Sequence, residues 1–201
     1  MTSKHERSRQ LSRARRRGYN LVELMMAIAV FAIGVSGIIA MQKVAAAANE
    51  HSKALSVATN IAQAWVDVLK ADSSLYTQTN LLTYAQLLSQ FNSNNSTWFR
   101  PTWNSSKSIG AAFDALGNPI DDTIVDPATA QFCVHVRLTQ LYPNAPGMNV
   151  IRTEVRVFWP RADANLPTAF CAVAMNDAAV QAATPELHFL YQVSAARQQP
   201  Q

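Results

Sequence analysis

The chain has 201 residues, with 17 Lys and Arg against 13 Asp and Glu and a formal net charge of +4. Seven of those basic residues (Lys4, Arg7, Arg9, Arg13, Arg15, Arg16 and Arg17) lie in residues 1–18 beside one acid, Glu6, and the rest of the chain holds 10 basic and 12 acidic residues. The basicity thus belongs to a leader rather than to a folded surface, which argues against a nucleic-acid-binding domain, and the length leaves room for one small soluble domain after a membrane segment.

The leader runs into RRRGYNLVELMMAIAVFAIGVSGIIAM, residues 15–41. From Leu24 to Met41 there are 18 consecutive residues without charge. As a helix they span roughly 27 Å, close to the hydrocarbon thickness of a bilayer. A secretory signal has a shorter apolar stretch followed by a small-residue cleavage site. Here no such site follows the run directly, and a glycine, Gly18, precedes it. Lys and Arg stay on the cytoplasmic side of a membrane, so the polar bulk after Met41 is expected outside the cytoplasm. A single acid, Glu23, stands at the mouth of the run. An ionised carboxylate in lipid costs at least several kcal/mol unless it is paired, so its position needs a reason.

Residues 15–27, RRRGYNLVELMMA, resemble the class III signal of type IV prepilins and pseudopilins. That resemblance implies cleavage by a prepilin peptidase between Gly18 and Tyr19, N-methylation of Tyr19, and pairing of Glu23 with the N-terminal amine of a neighbouring subunit during assembly. Glu23 is fifth counting from Tyr19, as the family pattern requires. It also implies the type IV pilin fold, an α+β architecture. In that fold a long N-terminal helix, transmembrane in its first half and amphipathic in its second, packs on a C-terminal antiparallel sheet, here of about four strands. Within the group the chain is most similar to minor pilins of the PilV type, the pilus modification proteins, through its leader, the run Leu24–Met41, the helix end AQAWVDVL and the strand RTEVRVFWP. Ala40 stands where major pilins carry a helix-kinking proline, and the C-terminus lacks their two-cysteine loop.

The expected organisation is a cleaved leader at 1–18, a helix at 19–71 with its membrane segment near 21–43, and a periplasmic or extracellular domain at 72–201 with its sheet near 130–195. From Glu23 to Asp72 there is no proline, and Gly34 and Gly37 are the only glycines. Ala32, Ser36 and Ala40 form a ridge of small residues that permits close helix approach. Further along, Leu55, Ala58, Ala62, Trp65, Val66 and Leu69 recur at steps of three and four, one apolar stripe, with Lys53, Asn60, Gln63, Asp67 and Lys70 off it.

Residues 72–130 read as an irregular middle, with a short helix at Leu81–Phe91 and a Ser/Asn-rich loop at Asn92–Ser108 whose Trp98, Phe99 and Trp103 are expected to cap a core. In the C-terminal third, Phe132, Val134, Val136 and Leu138 alternate with Cys133, His135 and Arg137. After a turn at Tyr142–Asn149, Val155, Val157 and Trp159 alternate with Glu154, Arg156 and Phe158. Ala169–Met175 reads as a third strand, and Leu187, Phe189, Tyr191 and Val193 mark a fourth. One apolar face is expected against the helix stripe, with a polar face outside.

Cys133 and Cys171 are the only cysteines. In an oxidising compartment such a pair becomes a disulfide; two buried free thiols are the alternative, and spacing does not decide between them. No cofactor is implied. Asp114, Asp121, Asp122 and Asp126 are the metal candidate, since hard oxygens converge on calcium loops, but their spacing fits no EF-hand and a solvated turn is the simpler reading. The chain carries no nucleophile elbow, zinc-protease motif, phosphate loop or dinucleotide fingerprint, and no enzymatic activity is expected.

The resemblance implies a structural subunit made in the bacterial inner membrane with its N-terminus cytoplasmic. It then joins other minor pilins in a complex that primes assembly of the major pilin at the cell surface, with possible roles in adhesion and motility. Prepilin peptidase and the inner-membrane assembly platform are the further partners. Alternatives are a minor pseudopilin of type II secretion and, more distantly, a membrane-anchored periplasmic enzyme or binding module.

Overall fold

The computed structural model describes residues 20–75, 87–88, 96–123, 129–141, 150–161, 164, 170–172 and 175–197. Its first element, α1, is one helix from Leu21 to Ser73, 53 residues long. The carbonyl of Asn20 opens it by accepting the N–H groups of Glu23 (2.9 Å) and Leu24 (3.2 Å). With no proline to remove a backbone donor, nothing interrupts its ladder. The chain divides into two units, with the boundary between Asn49 and Glu50, inside α1. In the first unit none of the described residues is buried.

In the second unit the same helix buries Ala58, Ile61, Ala62, Trp65, Val66, Leu69 and Asp72. Steps of three and four hold these residues on one face. Lys53, Asn60, Gln63, Asp67 and Lys70 are exposed, as their off-stripe positions require. Leu55, expected in the stripe, is 40% exposed. On that turn Ala54 and Val57 pack against the core instead, so the contact line drifts round the helix. The buried Asp72 carboxylate accepts the N–H groups of Leu87 (2.9 Å) and Leu88 (2.8 Å), which ties the end of the helix to the segment beyond. Most of the helix expected at Leu81–Phe91 lies outside the described residues.

Among the described residues the sheet has five strands: β1 (Ala112–Phe113), β2 (Pro119–Ile120), β3 (Phe132–Gln140), β4 (Val150–Pro160) and β5 (Leu187–Arg197). They are antiparallel in the order β2-β1-β3-β4-β5. The three long strands coincide with strands read from alternation. The strand expected at Ala169–Met175 is not formed: Phe170 and Cys171 lie in a turn and Ala172 in a bend, while 169, 173 and 174 fall outside the described residues. That stretch is apolar because Phe170, Cys171 and Met175 are buried, not because it is extended. The two added strands, β1 and β2, have two residues each, too few to alternate. The turn expected at Tyr142–Asn149 lies outside the described residues.

Both faces of the sheet are covered, which corrects the expectation of a polar outer face. On the helix side Val134, Val136, Leu138, Ile151, Val155, Val157 and Trp159 join Ile61, Trp65 and Leu69. On the other side Cys133, Phe158, Phe170, Cys171, Met175, Val180 and Leu187 form a second core. A short helix, α2 (Asp177–Ala182), contributes Val180 to that core. The Asn176 side chain caps α2 by accepting the N–H of Ala179 at 3.0 Å. β5 also departs from expectation. Leu187 and Phe189 pack into the second core, away from the helix, and helix-side packing comes from Leu190 and Ala196. Register explains this: Phe189 sits opposite Phe158, and Leu190 opposite Val157.

Candidate functional site

Two regions carry chemistry. The first is the start of α1. Gly18 and Tyr19 lie outside the described residues, so the expected cleavage and methylation positions have no structural description here. Glu23 is exposed in the first turn of the helix. A carboxylate there complements the partial positive charge of the helix N-terminus. On either side of it the apolar side chains face outward: Leu21 is 71% exposed, Phe31 71% and Ile33 73%. The helix is long and apolar enough to cross a membrane. Ser36 returns its hydroxyl to the carbonyl of Ile33 at 2.8 Å, so the one hydroxyl of the small-residue ridge is satisfied within its own helix. A Cβ added at Gly34 or Gly37 would meet nothing, so no packing among the described residues accounts for those glycines.

The second region is the outer face of β3, β4 and β5. Cys133 and Cys171 are joined by a disulfide with a Cα–Cα distance of 5.4 Å, closing a separation of 38 residues. It pins the turn at Phe170–Cys171 onto β3. Arg100 supports that turn by donating Nε–H to the carbonyl of Cys171 at 2.9 Å, and it pairs with Asp122. Beyond the disulfide a polar network fills the middle of the face. Arg156 Nη2 lies 2.8 Å from His135 Nδ1 and 2.9 Å from Asp177 Oδ1. Arginine can only donate, so Nδ1 is the acceptor and the imidazole is neutral. Burial pushes its pKa down from 6.5 to about 3, and the charge of Arg156 adds to the effect, while Asp177 opposes it.

Glu154 accepts from Arg137 at 2.6 and 2.9 Å and from Arg152 at 2.6 Å. Burial would raise its pKa, but the hydrogen bonds and charges of the two guanidinium groups outweigh that and lower it. The same hydrogen bond to Glu154 raises the pKa of Arg137. Trp98 lies over this network, its ring 4.7 Å from the Arg137 guanidinium carbon and 4.6 Å from that of Arg156. Tyr191 meets Trp98 edge-on at 5.9 Å. Two cation–π contacts on one ring fix the Ser/Asn-rich loop on the sheet. Phe99, beside it, bridges to Val136 and packs on the helix-side core, whereas Trp103 lies against Gly110. A Cβ at Gly110 would come within 2.8 Å of the Trp103 ring, so this approach requires glycine. The opposed charges at Arg137 on β3 and at Glu154 and Arg156 on β4 were readable from alternation in the two strands; their partner Trp98, in a remote loop, carried no periodic signal.

The metal candidate does not assemble. Asp114 Oδ1 accepts the N–H groups of Leu116 and Asn118, both at 2.8 Å, closing the turn between β1 and β2. Burial would raise its pKa, but hydrogen bonds from the side chain and backbone of Asn118 and from the Leu116 and Gly117 backbone lower it. Asp121 holds Thr123 and Asp122 holds Arg100, while Asp126 lies outside the described residues. Among the described residues no group of three His, Cys, Asp or Glu is placed to hold a metal ion. The turn instead docks on the helix: Gly117 has φ 85°, and a Cβ there would meet Val57 Cγ1 at 3.0 Å. No protein-family model, curated protein or solved structure matches the chain.

Proposed function

We propose that the chain is a minor pilin, a structural subunit that primes assembly of a type IV pilus. The observation that carries this reading is the start of α1. There Gly18, Tyr19 and Glu23 stand at prepilin spacing, at the head of a helix in which none of residues 21–49 is buried. A membrane, and later the helices of neighbouring subunits, would supply the missing apolar surroundings. The two-sided domain after Glu50 supports the reading by being self-sufficient: its core does not draw on residues 21–49.

In this reading prepilin peptidase cuts between Gly18 and Tyr19 and methylates the new amine. The chain waits in the inner membrane and then joins other minor pilins and the major pilin through the assembly platform. It is a substrate of the peptidase and catalyses no reaction itself. Glu23 gains its partner when a neighbouring Tyr19 amine arrives, so one axial register of subunits is favoured. Mass spectrometry of the protein from its host membrane tests this. The expected N-terminus is Tyr19 bearing one methyl group. An intact Met1, or a cut after Ala48, would overturn it. Glu23→Ala should leave membrane insertion intact and reduce incorporation into pili; unchanged incorporation would remove the pairing step.

A further inference from the structure

β5 is the edge strand of the sheet, and among the described residues no segment pairs with its outer side. Its register with β4 is unbroken through 11 residue pairs. From Leu187 to Ala196 it contains no charged residue, no proline and no glycine. Edge strands are ordinarily guarded by such residues, by bulges or by brevity, because their free N–H and C=O groups template further pairing. On the outer face of this strand Tyr191 is 57% exposed and Val193 56%. An uncharged edge of this length, in unbroken register, is suited to strand addition.

The charges beside it select the occupant. Arg152 and Arg137 share the single carboxylate of Glu154, and the Arg152 side chain is 45% exposed. Arg152 lies opposite Ala195 on β5 and meets Glu154 through Nη2. Arg197, exposed at the end of the strand, makes no ion pair among the described residues. A strand added beyond β5 would stand roughly 10 Å from β4, within the joint reach of an arginine and a carboxylate side chain. β5 itself contains no acid, so a second copy of β5 could not neutralise these arginines.

We propose that β5 takes an extended segment of a different chain as a sixth strand. That segment lays apolar side chains beside Tyr191 and Val193 and a carboxylate beside Arg152 and Arg197. This surface is independent of the reading of the N-terminal helix. The test uses the full-length chain in detergent and two synthetic peptides of alternating Val and Thr. One peptide ends in two Asp residues and the other in two Lys residues. Hydrogen exchange is expected to slow at alternate β5 amides when the Asp peptide binds. Its affinity should exceed that of the Lys peptide by roughly tenfold, the effect of one charge-assisted pair. Arg197→Ser and Arg152→Ser should narrow that ratio, and Val193→Lys should weaken both peptides without shifting the melting temperature. Unchanged β5 exchange at saturating peptide, or equal affinity for both peptides, would overturn the proposal. So would β5 protection that depends on protein concentration without peptide, which would mark a second copy as the occupant.

Discussion

The two halves of α1 are both rich in apolar residues, yet only one of them buries any. Between Leu21 and Asn49 the apolar residues are distributed all round the helix and none is buried; between Ala58 and Asp72 seven residues on one face are. The difference is one of pattern rather than content. A helix that is apolar on every side suits lipid or a ring of other helices, whereas a single stripe suits one face of a sheet. Among the described residues the first half finds no apolar cover, and the second has its own.

Substitutions that strike one half and spare the other would break or sharpen that contrast. The largest effect is expected at Trp65, 1% exposed in the helix-side core. Trp65→Ala should destabilise the domain by about 3–5 kcal/mol in chemical denaturation, leaving membrane attachment unchanged. Ile33→Lys should do the reverse. A lysine at the centre of the run should disfavour insertion by about 2.5–3.5 kcal/mol, measured as loss of the protein from carbonate-washed membranes, with the domain's melting temperature unmoved.

The next effect belongs to the second core. The fold keeps His135 neutral down to about 3, whereas the unfolded chain takes up its proton near 6.5. The unfolded state therefore binds more protons between those values. This stability is fully present above 6.5 and falls as the pH drops, by about 1.4 kcal/mol per pH unit. Denaturation at a series of pH values should show that slope, and His135→Gln should flatten it between pH 6 and 5. Glu154 and Asp114, both held below their ordinary range, extend the loss below about pH 4.5 as they take up protons in the unfolded chain. The smallest effect is Asn176→Ala, which removes the cap of α2 and should lower stability by about 1 kcal/mol by thermal melting.

How much of this was readable in the sequence follows the range of each signal. The break in α1 between all-round and one-sided apolarity is local, and so are the alternations in β3 and β4; each was legible. Cys133 and His135 were read as facing away from the core because alternation reports which residues share a face, not what covers it. The cover comes from Phe170, Met175 and Val180, far along the chain and not in a strand. For the same reason Leu187 and Phe189 gave a correct strand with its apolar face assigned to the wrong side. Asp114 drew notice as an acid in a cluster of acids, but its work is a turn closure that any Asp two residues ahead of a turn can perform. At the N-terminal site the residues were legible through spacing alone, since among the described residues no side chain pairs with Glu23 to define its geometry.

The covering of β4 on two sides has a consequence for its alignment. Val155, Val157 and Trp159 face the helix, while Glu154, Arg156 and Phe158 face α2 and the disulfide. A slip of β4 by one residue would turn every side chain to the opposite face. Arg156 and Glu154 would then meet the surroundings of Trp65 without Asp177, His135 or Arg137 to pair with, and Trp159 would have to fit where Phe158 now packs. A strand bounded by two unlike environments thus checks its own alignment at each position. The domain could stretch or unfold, but β4 has no neighbouring notch into which it could slide.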